Sequence, residues 1–350
     1  MYVLLDTRGR RRLILISMSQ RKTTFGLTLS NRALVTMGTQ PKNLIDMAVQ
    51  AESSERLEAV WVGDSILSKP RLECIPLLGA IAGHTSRLRL GVACMATIAQ
   101  RNPVLLALQW SSLDVLSGGR TWLAACMGYP ASQHPMAAKE LEVMGITSKQ
   151  RPGRLEEMIQ ALRVLWSDEH ASFHGRYYSF ENVDLLPKPV QQPCPIYIAG
   201  TPRATSIGER GVERSLRRIA RYADGWMTNQ IELSLLRDHL QRLREMLAEE
   251  GRDPDRFKTV LYYGISVNRD KEQAFREAKT FLDAYYLKDF SREGVEIWNA
   301  CGPVEHCVRS IQNFMDAGVD HITIRPIGQK LDEQFRIYLE EVLPALGSLS

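Results

Sequence analysis

The run Leu88-Arg89-Leu90-Gly91-Val92-Ala93 is short, apolar and β-prone, and Arg101-Asn102-Pro103 then opens a helix whose apolar positions recur as Val104, Leu105, Ala107, Leu108, Leu113 and Leu116. Ser117-Gly118-Gly119 stops that helix, and Thr121-Trp122-Leu123-Ala124-Ala125-Cys126 follows at once as a second buried strand. Two strands joined through a helix lie parallel in one sheet. Parallel strands present ligands with their carboxyl ends, so function is expected after Ala93 and after Cys126, not around Arg120.

Outward from this unit the same alternation occurs eight times. Strands are expected at 25–29, 59–63, 88–93, 121–126, 195–199, 225–227, 260–267 and 321–324. Helices are expected at 41–57, 72–84, from 103 to the stop at Ser117, and at 154–166, 215–222, 233–250, 271–287, 304–317 and 333–346. Eight βα units predict an α/β fold of the (β/α)8 TIM-barrel type. An open doubly wound sheet would carry a glycine-rich phosphate turn after its first strand, and Ser30-Asn31-Arg32-Ala33 is not one. Three connections exceed the usual ~4 to 6 residues. Residues 129–150 follow strand 4 at the ligand face and read as a lid; 172–195 precede strand 5 and alternate like a hairpin around Phe173 and Phe180; 289–302 lie between strands 7 and 8.

The chain has 350 residues, enough for one such barrel with insertions and a large core. Its 44 Lys and Arg against 40 Asp and Glu give a net charge of +4 with arginines scattered among helices, so no nucleic acid is expected as a partner. No run of 18 apolar residues marks a membrane span. Six cysteines without a CxxC pair read as reduced thiols in the cytoplasm. Arg8 to Arg12 followed by apolar 13–18 is too short for a signal peptide. Residues 1–23 are expected to be a disordered N-terminal extension, with Met18 resembling an ordinary start, ahead of a barrel domain at 24–350.

Several stretches carry a resemblance to the bacterial luciferase-like superfamily of flavin- and deazaflavin-dependent oxidoreductases: Val60-Trp61-Val62-Gly63-Asp64, Leu88-Arg89-Leu90-Gly91, Arg101-Asn102-Pro103, Leu113 to Arg120, Arg154-Leu155-Glu156-Glu157, Leu186 to Gln191, Pro195 to Gly200 and Ala223-Asp224-Gly225-Trp226. The resemblance runs from about residue 24 to 347. It implies an isoalloxazine cofactor across the carboxyl-end mouth of the barrel.

Ser117 to Arg120 lies on the stability face and reads as structural, with Arg120 expected to pair with Asp114. Asp64 ends strand 2 at the ligand face, either to accept from a ring NH and steer a proton or merely to cap a helix. Cys126, ending strand 4, is the second candidate for chemistry. The resemblance implies cofactor contacts from Asp64, from Met95, Ala96 and Thr97 at a strand-3 bulge that in relatives often holds a cis non-proline peptide, and from Met127. Several relatives reach the cofactor phosphate with an arginine where Met127 stands, so the phosphate is expected on Arg154 and on the backbone N–H groups of Gly200 and Thr201, Thr201 alternatively being a helix cap. Arg325 is placed either to hold an anionic tail or substrate carboxylate or to form a surface salt bridge. Deazaflavin dehydrogenases of the superfamily usually have histidine after the strand-2 aspartate; here it is Ser65. Of the seven histidines only His134 lies in the lid, where a solvated ring is the plain reading, and His306, Cys307 and Cys301 lack further ligands at zinc spacing, so no metal is expected.

The reading that follows is a luciferase-like, monooxygenase-type flavoprotein using reduced FMN and oxygen on a small organic substrate, supplied by a separate flavin reductase since no NAD fingerprint is present. The alternatives are a coenzyme F420 (deazaflavin)-dependent reductase or dehydrogenase transferring hydride, and a non-catalytic flavin-binding barrel. Leu72, Ile75, Leu78 and Ile81 serve either a homodimer contact or packing on the barrel of a monomer.

Overall fold

Eight parallel strands pair in sequence and the last pairs back onto the first. In the computed structural model, which describes residues 22–347 and the backbone of Tyr2–Leu5 and Arg11–Ile14, they are β1 (Thr24–Leu29), β2 (Ala59–Val62), β3 (Arg89–Met95), β4 (Thr121–Ala125), β5 (Ile196–Ala199), β6 (Gly225–Asn229), β7 (Lys258–Val267) and β8 (His321–Pro326). The ring is closed by β6 against β7 and by β8 against β1, which makes it the expected TIM barrel. The helices of the outer layer are α1 (Pro41–Ser53), α2 (Cys74–Ala82), α3 (Pro103–Ser117), α4 (Arg151–Ser167), α5 (Ala204–Tyr222), α6 (Leu233–Glu249), α7 (Lys271–Tyr286) and α8 (Val304–Asp316). A last helical stretch, Leu331–Ile337, passes through a π turn at Tyr338–Val342 into Leu343–Gly347. α5 is kinked at Gly208 (φ 67°), which separates a short opening piece from the main helix, and the main helix starts before residue 215 because its first turn, with Glu209 and Arg210, lacks the apolar spacing by which a helix is read.

Two packing layers result. Between strands and helices lies a continuous aliphatic core that includes Leu27, Val60, Leu90, Leu123, Ile196 and Ile322. Inside the ring, Trp61, Trp122, Tyr197 and His321 stack with centroids 5.4 to 6.4 Å apart, and the Trp61 indole N–H donates to His321 Nε2 at 3.2 Å. Gly91 makes the room: a Cβ on β3 there would run into the Trp61 ring.

At the amino ends of the strands, Gly118 takes the left-handed conformation (φ 68°) that stops α3. The expected pairing of Arg120 with Asp114 is corrected. The Arg120 fork donates instead to the carbonyls of Ser117, Leu88, Ala82 and Thr85 and to the Thr85 hydroxyl, while Asp114 accepts from the Thr121 hydroxyl and from the backbone and side-chain amides of Gln191. Adjacent loops offer the guanidinium more acceptors than one carboxylate does.

The insertions fall where expected. Residues 129–150 fold into a short 3-10 turn and a lid helix, Pro135–Val143; Ala171–His174 pairs antiparallel with Ser179–Val183; and Arg292–Trp298 leads to Asn299–Gly302, which pairs parallel with the far end of β7. Near the N-terminus Tyr2–Leu5 and Arg11–Ile14 pair antiparallel, and the remainder of the 1–21 stretch lies outside the described residues. The expectation of six reduced thiols is corrected too: Cys94 and Cys126 form a disulfide, with Cα atoms 6.0 Å apart, while Cys74, Cys194, Cys301 and Cys307 are free and buried. The two partners stand 32 residues apart, and only the side-by-side ends of β3 and β4 bring them together. No helix among the described residues is long and apolar enough to cross a membrane.

Candidate active site

The carboxyl ends of β2, β3 and β4 converge under the lid helix. β3 breaks register with β4 between Val92 and Met95, and the Ala93–Cys94 peptide is cis, so the bulge and the bond implied by the resemblance are both present. The cavity between these strand ends and the lid is lined by Asp64, Ser65, Lys69, Ala96, Met127 and Tyr129 among others, and holds about 20 Å³. That is room for little more than one water.

Asp64 is buried, and its oxygens are committed. One accepts from the backbone N–H and hydroxyl of Thr97 at 2.9 and 2.6 Å; the other pairs with Arg101 at 3.0 Å. The helix-cap alternative is corrected, because Glu73 caps α2 by accepting from the Ile75 N–H. Asp64, Glu73 and Cys74 come within metal-ligand reach of one another, yet the cation between the two carboxylates is Arg101. Met95 is fully buried in the aliphatic core and Thr97 is held by Asp64, so of the strand-3 candidates Ala96 lines the cavity, together with Met127. Cys126 is tied to Cys94 beside them.

The residues expected at a phosphate lie apart from that cavity. Arg154 donates from Nε to the Ala99 carbonyl at 2.7 Å and lies over the Tyr178 ring at 4.8 Å. Gly200 is exposed, and a Cβ there would meet nothing within 4 Å, but its backbone N–H already donates to the Met227 carbonyl at 2.9 Å, which corrects the expectation that this N–H serves a phosphate. The Thr201 hydroxyl bonds the Asn229 carbonyl at 2.6 Å and Thr228 at 2.8 Å, and Arg203 rather than Thr201 occupies the cap position of α5.

Glu140, Arg151 and Lys69 at the mouth were not singled out by sequence. Glu140 of the lid accepts from the backbone N–H groups of Ile66, Leu67 and Ser68 at 3.1, 2.6 and 2.8 Å and from Gln100 at 3.1 Å. Burial works to raise its carboxyl, and the bonds from Ser68, Gln100 and Leu67 outweigh it, leaving the group below the usual carboxylate range. Arg151 donates to the carbonyls of Met127 and Tyr129 at 2.8 Å each. His134 is buried, not solvated: its ring packs on Tyr129, and burial together with Lys69 and Arg32 lowers its pKa. Ser65, standing where relatives have histidine, bonds the Ser68 hydroxyl at 2.8 Å. The length of the 63–73 connection was the available signal for Lys69 and its neighbours.

Lys69 sits 4.4 Å over the Tyr129 ring, and burial, then Arg71 and Arg32, bring its pKa down to about 7. Between that value and the ordinary lysine range the unfolded chain binds more protons than the folded one, so this group lets stability rise with pH across the window. Lys69→Met is therefore expected to raise Tm by a few degrees at pH 7 and below, with the gain shrinking towards pH 10. Thermal melts of both proteins at pH 6.5, 8 and 9.5 check this; a difference independent of pH would reject it.

The luciferase-like monooxygenase family model matches residues 23–300. The chain belongs to that family. Among curated relatives, the F420-dependent glucose-6-phosphate dehydrogenase of Nakamurella multipartita is 26% identical over 336 residues, spanning 88% of this chain and 94% of the relative. Among solved structures, an F420-dependent secondary alcohol dehydrogenase in complex with an F420-acetone adduct superposes with TM-score 0.78 at 20% identity over 93% of this chain and 99% of its own. The monooxygenase RslO1 of Streptomyces bottropensis gives TM-score 0.73 at 18% identity, covering 92% and 99%. At those identities the two structures establish the luciferase-like barrel and no more.

Proposed function

We propose that this luciferase-like protein is a coenzyme F420-dependent reductase or dehydrogenase acting on a small organic substrate. The observation that carries the reading is the end-to-end similarity to an F420-dependent dehydrogenase, 88% of this chain against 94% of the relative. It favours the deazaflavin alternative over the FMN-and-oxygen reading drawn first from sequence.

When bound, the coenzyme supplies the hydride chemistry; the chain binds, orients and excludes water. Ala96 and Met127, which line the cavity beside the Cys94–Cys126 pair, would lie against its ring, and Arg154, beside Tyr178, would be the side chain offered to a phosphate. Asp64 keeps Thr97 and Arg101 in place and has no oxygen to spare for a base. Lys69, with its pKa brought down to about 7, is the side chain here able to hold or release a proton near neutrality. A separate flavin reductase is needed only under the FMN reading.

Titration with coenzyme F420, read by quenching of its fluorescence, tests the proposal. Saturable quenching that FMN displaces poorly is expected. Preferential binding of FMN, with oxygen uptake by the reduced FMN complex exceeding that of free reduced FMN, would overturn it.

We also propose a homodimer. Leu78 and Ile81 are consumed by the barrel core, but α2 and α3 leave between them a groove lined by Ile75, Pro76, Leu105 and Leu116, with Leu105 54% and Leu116 75% exposed. The double change Leu105→Glu and Leu116→Glu is expected to give a monomer by light scattering at micromolar concentration while leaving Tm of the barrel nearly intact; an unaltered mass rejects the contact.

A further inference from the structure

Four cationic side chains gather on the β8–β1–β2 arc of the mouth. Arg32 follows β1, Lys69 and Arg71 follow β2, and Arg325 stands on β8. They surround two tyrosines of α7. The Arg325 guanidinium lies 5.1 Å from the Tyr285 ring and 5.2 Å from Tyr286, Arg71 lies 5.5 Å from Tyr285, and Lys69 lies 4.9 Å from Tyr286. Arg32 is close enough to Arg71 for its pKa to fall, after burial, through their repulsion.

Among the described residues no carboxylate pairs with any of the four cations, although five aromatic rings lie 5.1 to 5.6 Å from the Arg325 guanidinium. Arg325 is fully buried, which corrects the surface salt-bridge alternative; Nη1 donates to the Tyr286 hydroxyl at 2.7 Å, while Nε and Nη2 have no partner. Arg32 is 3% exposed, and its Nε and Nη1 are likewise unpartnered. The carboxylate facing the cluster is Glu140, and it is already saturated by the loop N–H groups and Gln100. Buried like charges with idle donors cost stability unless something outside the chain completes them.

We infer that this arc is the binding site for a multiply charged oxyanion, a phosphate or paired carboxylates, carried by the substrate. The forked donors of Arg32 and Arg325 suit the planar edge of such a group, and Lys69 and Arg71 add charge from the loop above. Arg154, in the first turn of α4 on the β4–β5 side, lies across the barrel, so a coenzyme phosphate held there would leave this arc to another ligand. The inference rests on the proposed oxidoreductase reading in giving the anion to the substrate.

The test uses the whole protein with inorganic pyrophosphate as probe. Calorimetric titration is expected to show saturable binding at one site, absent with chloride at equal ionic strength, and weakened at least tenfold in Lys69→Met and in Arg32→Gln. Circular dichroism confirms that each variant is folded, and two variants guard against the loss of one. No binding of pyrophosphate, phosphate or citrate at millimolar concentration, or equal affinity in both folded variants, would overturn the site. Coenzyme F420 quenching with and without saturating pyrophosphate separates the sources: unchanged coenzyme affinity supports the substrate assignment, and competition would overturn it by giving the arc to the coenzyme's own anionic tail. Pyrophosphate binding without any F420 quenching would remove the proposed function and leave an anion site; quenching without anion binding would do the reverse.

Discussion

Replacing Arg120 with methionine is expected to destabilise the barrel by about 4 kcal/mol, among the largest effects of any single side chain outside the aromatic interior. The guanidinium is 8% exposed and closes the amino-end face between β3 and β4. Its Nε donates to the Ser117 carbonyl at 2.6 Å, Nη1 to Leu88 at 2.8 Å and to the Thr85 hydroxyl at 3.0 Å, and Nη2 to Thr85 at 2.9 Å and Ala82 at 3.2 Å. Methionine fills a similar volume but strands four backbone carbonyls of the α2–β3 and α3–β4 connections, each with a desolvation penalty of ~1 kcal/mol or more. Arg120→Lys retains the charge without the fork and should recover less than half of the loss. Denaturant or thermal unfolding measures both; a methionine variant within ~1 kcal/mol of the parent would show that the bonds are individually replaceable by water.

This residue also illustrates how the fold was legible. Ser117-Gly118-Gly119 was readable as a helix stop because glycine adopts at low cost the left-handed conformation that Gly118 takes, and the strand after it was readable because β-prone apolar residues follow at once. What Arg120 bonds to was not readable, since its acceptors are backbone carbonyls supplied by a different βα connection. The same limit explains α5, which is kinked at Gly208 and whose charged first turn after the kink carries no apolar period, and the Cys94–Cys126 pair, which depends on two strand ends being neighbours in space.

The site was legible in its position more than in its roles. Asp64, Ala96 and Met127 do meet at one cavity, as strand-end positions 2, 3 and 4 should. Yet Asp64 is spent on Arg101 and Thr97, a pairing that joins two different loops and leaves no periodic trace. Arg32, in the tetrapeptide set aside because it was no phosphate turn, and Lys69 and Arg71, in an unremarked loop, become conspicuous only when α7 brings Tyr285 and Tyr286 against them. Charge clustering from two connections and a strand at the other end of the chain is a property of the closed ring, not of any window of sequence.

Glu140→Ala is the second large expected effect, and it acts on motion rather than on global stability. The lid helix is held by two kinds of contact: the apolar Ala137 and Leu141, 4% and 5% exposed, and the Glu140 carboxylate, which gathers three successive N–H groups of the 66–68 loop. A charge-assisted bond contributes ~1.5 to 3 kcal/mol, and three sharing one carboxylate are not additive, so a loss of ~3 kcal/mol in lid closure is the reasonable scale. That corresponds to an open population raised by roughly 10²-fold, seen as faster hydrogen exchange of the 136–143 amides and faster proteolytic nicking in 129–150, with Tm shifted by only a few degrees. Because the depressed carboxyl must stay ionised, the latch is complete above the ordinary carboxylate range and is lost as pH falls through its lowered value, so acid should open the parent lid and leave the alanine variant unaffected. Since the closed cavity has no room for a ring, the variant should also admit coenzyme F420 faster in stopped-flow quenching. Exchange rates equal to those of the parent would mean that Ala137 and Leu141 alone hold the lid and that the carboxylate serves the loop beneath it.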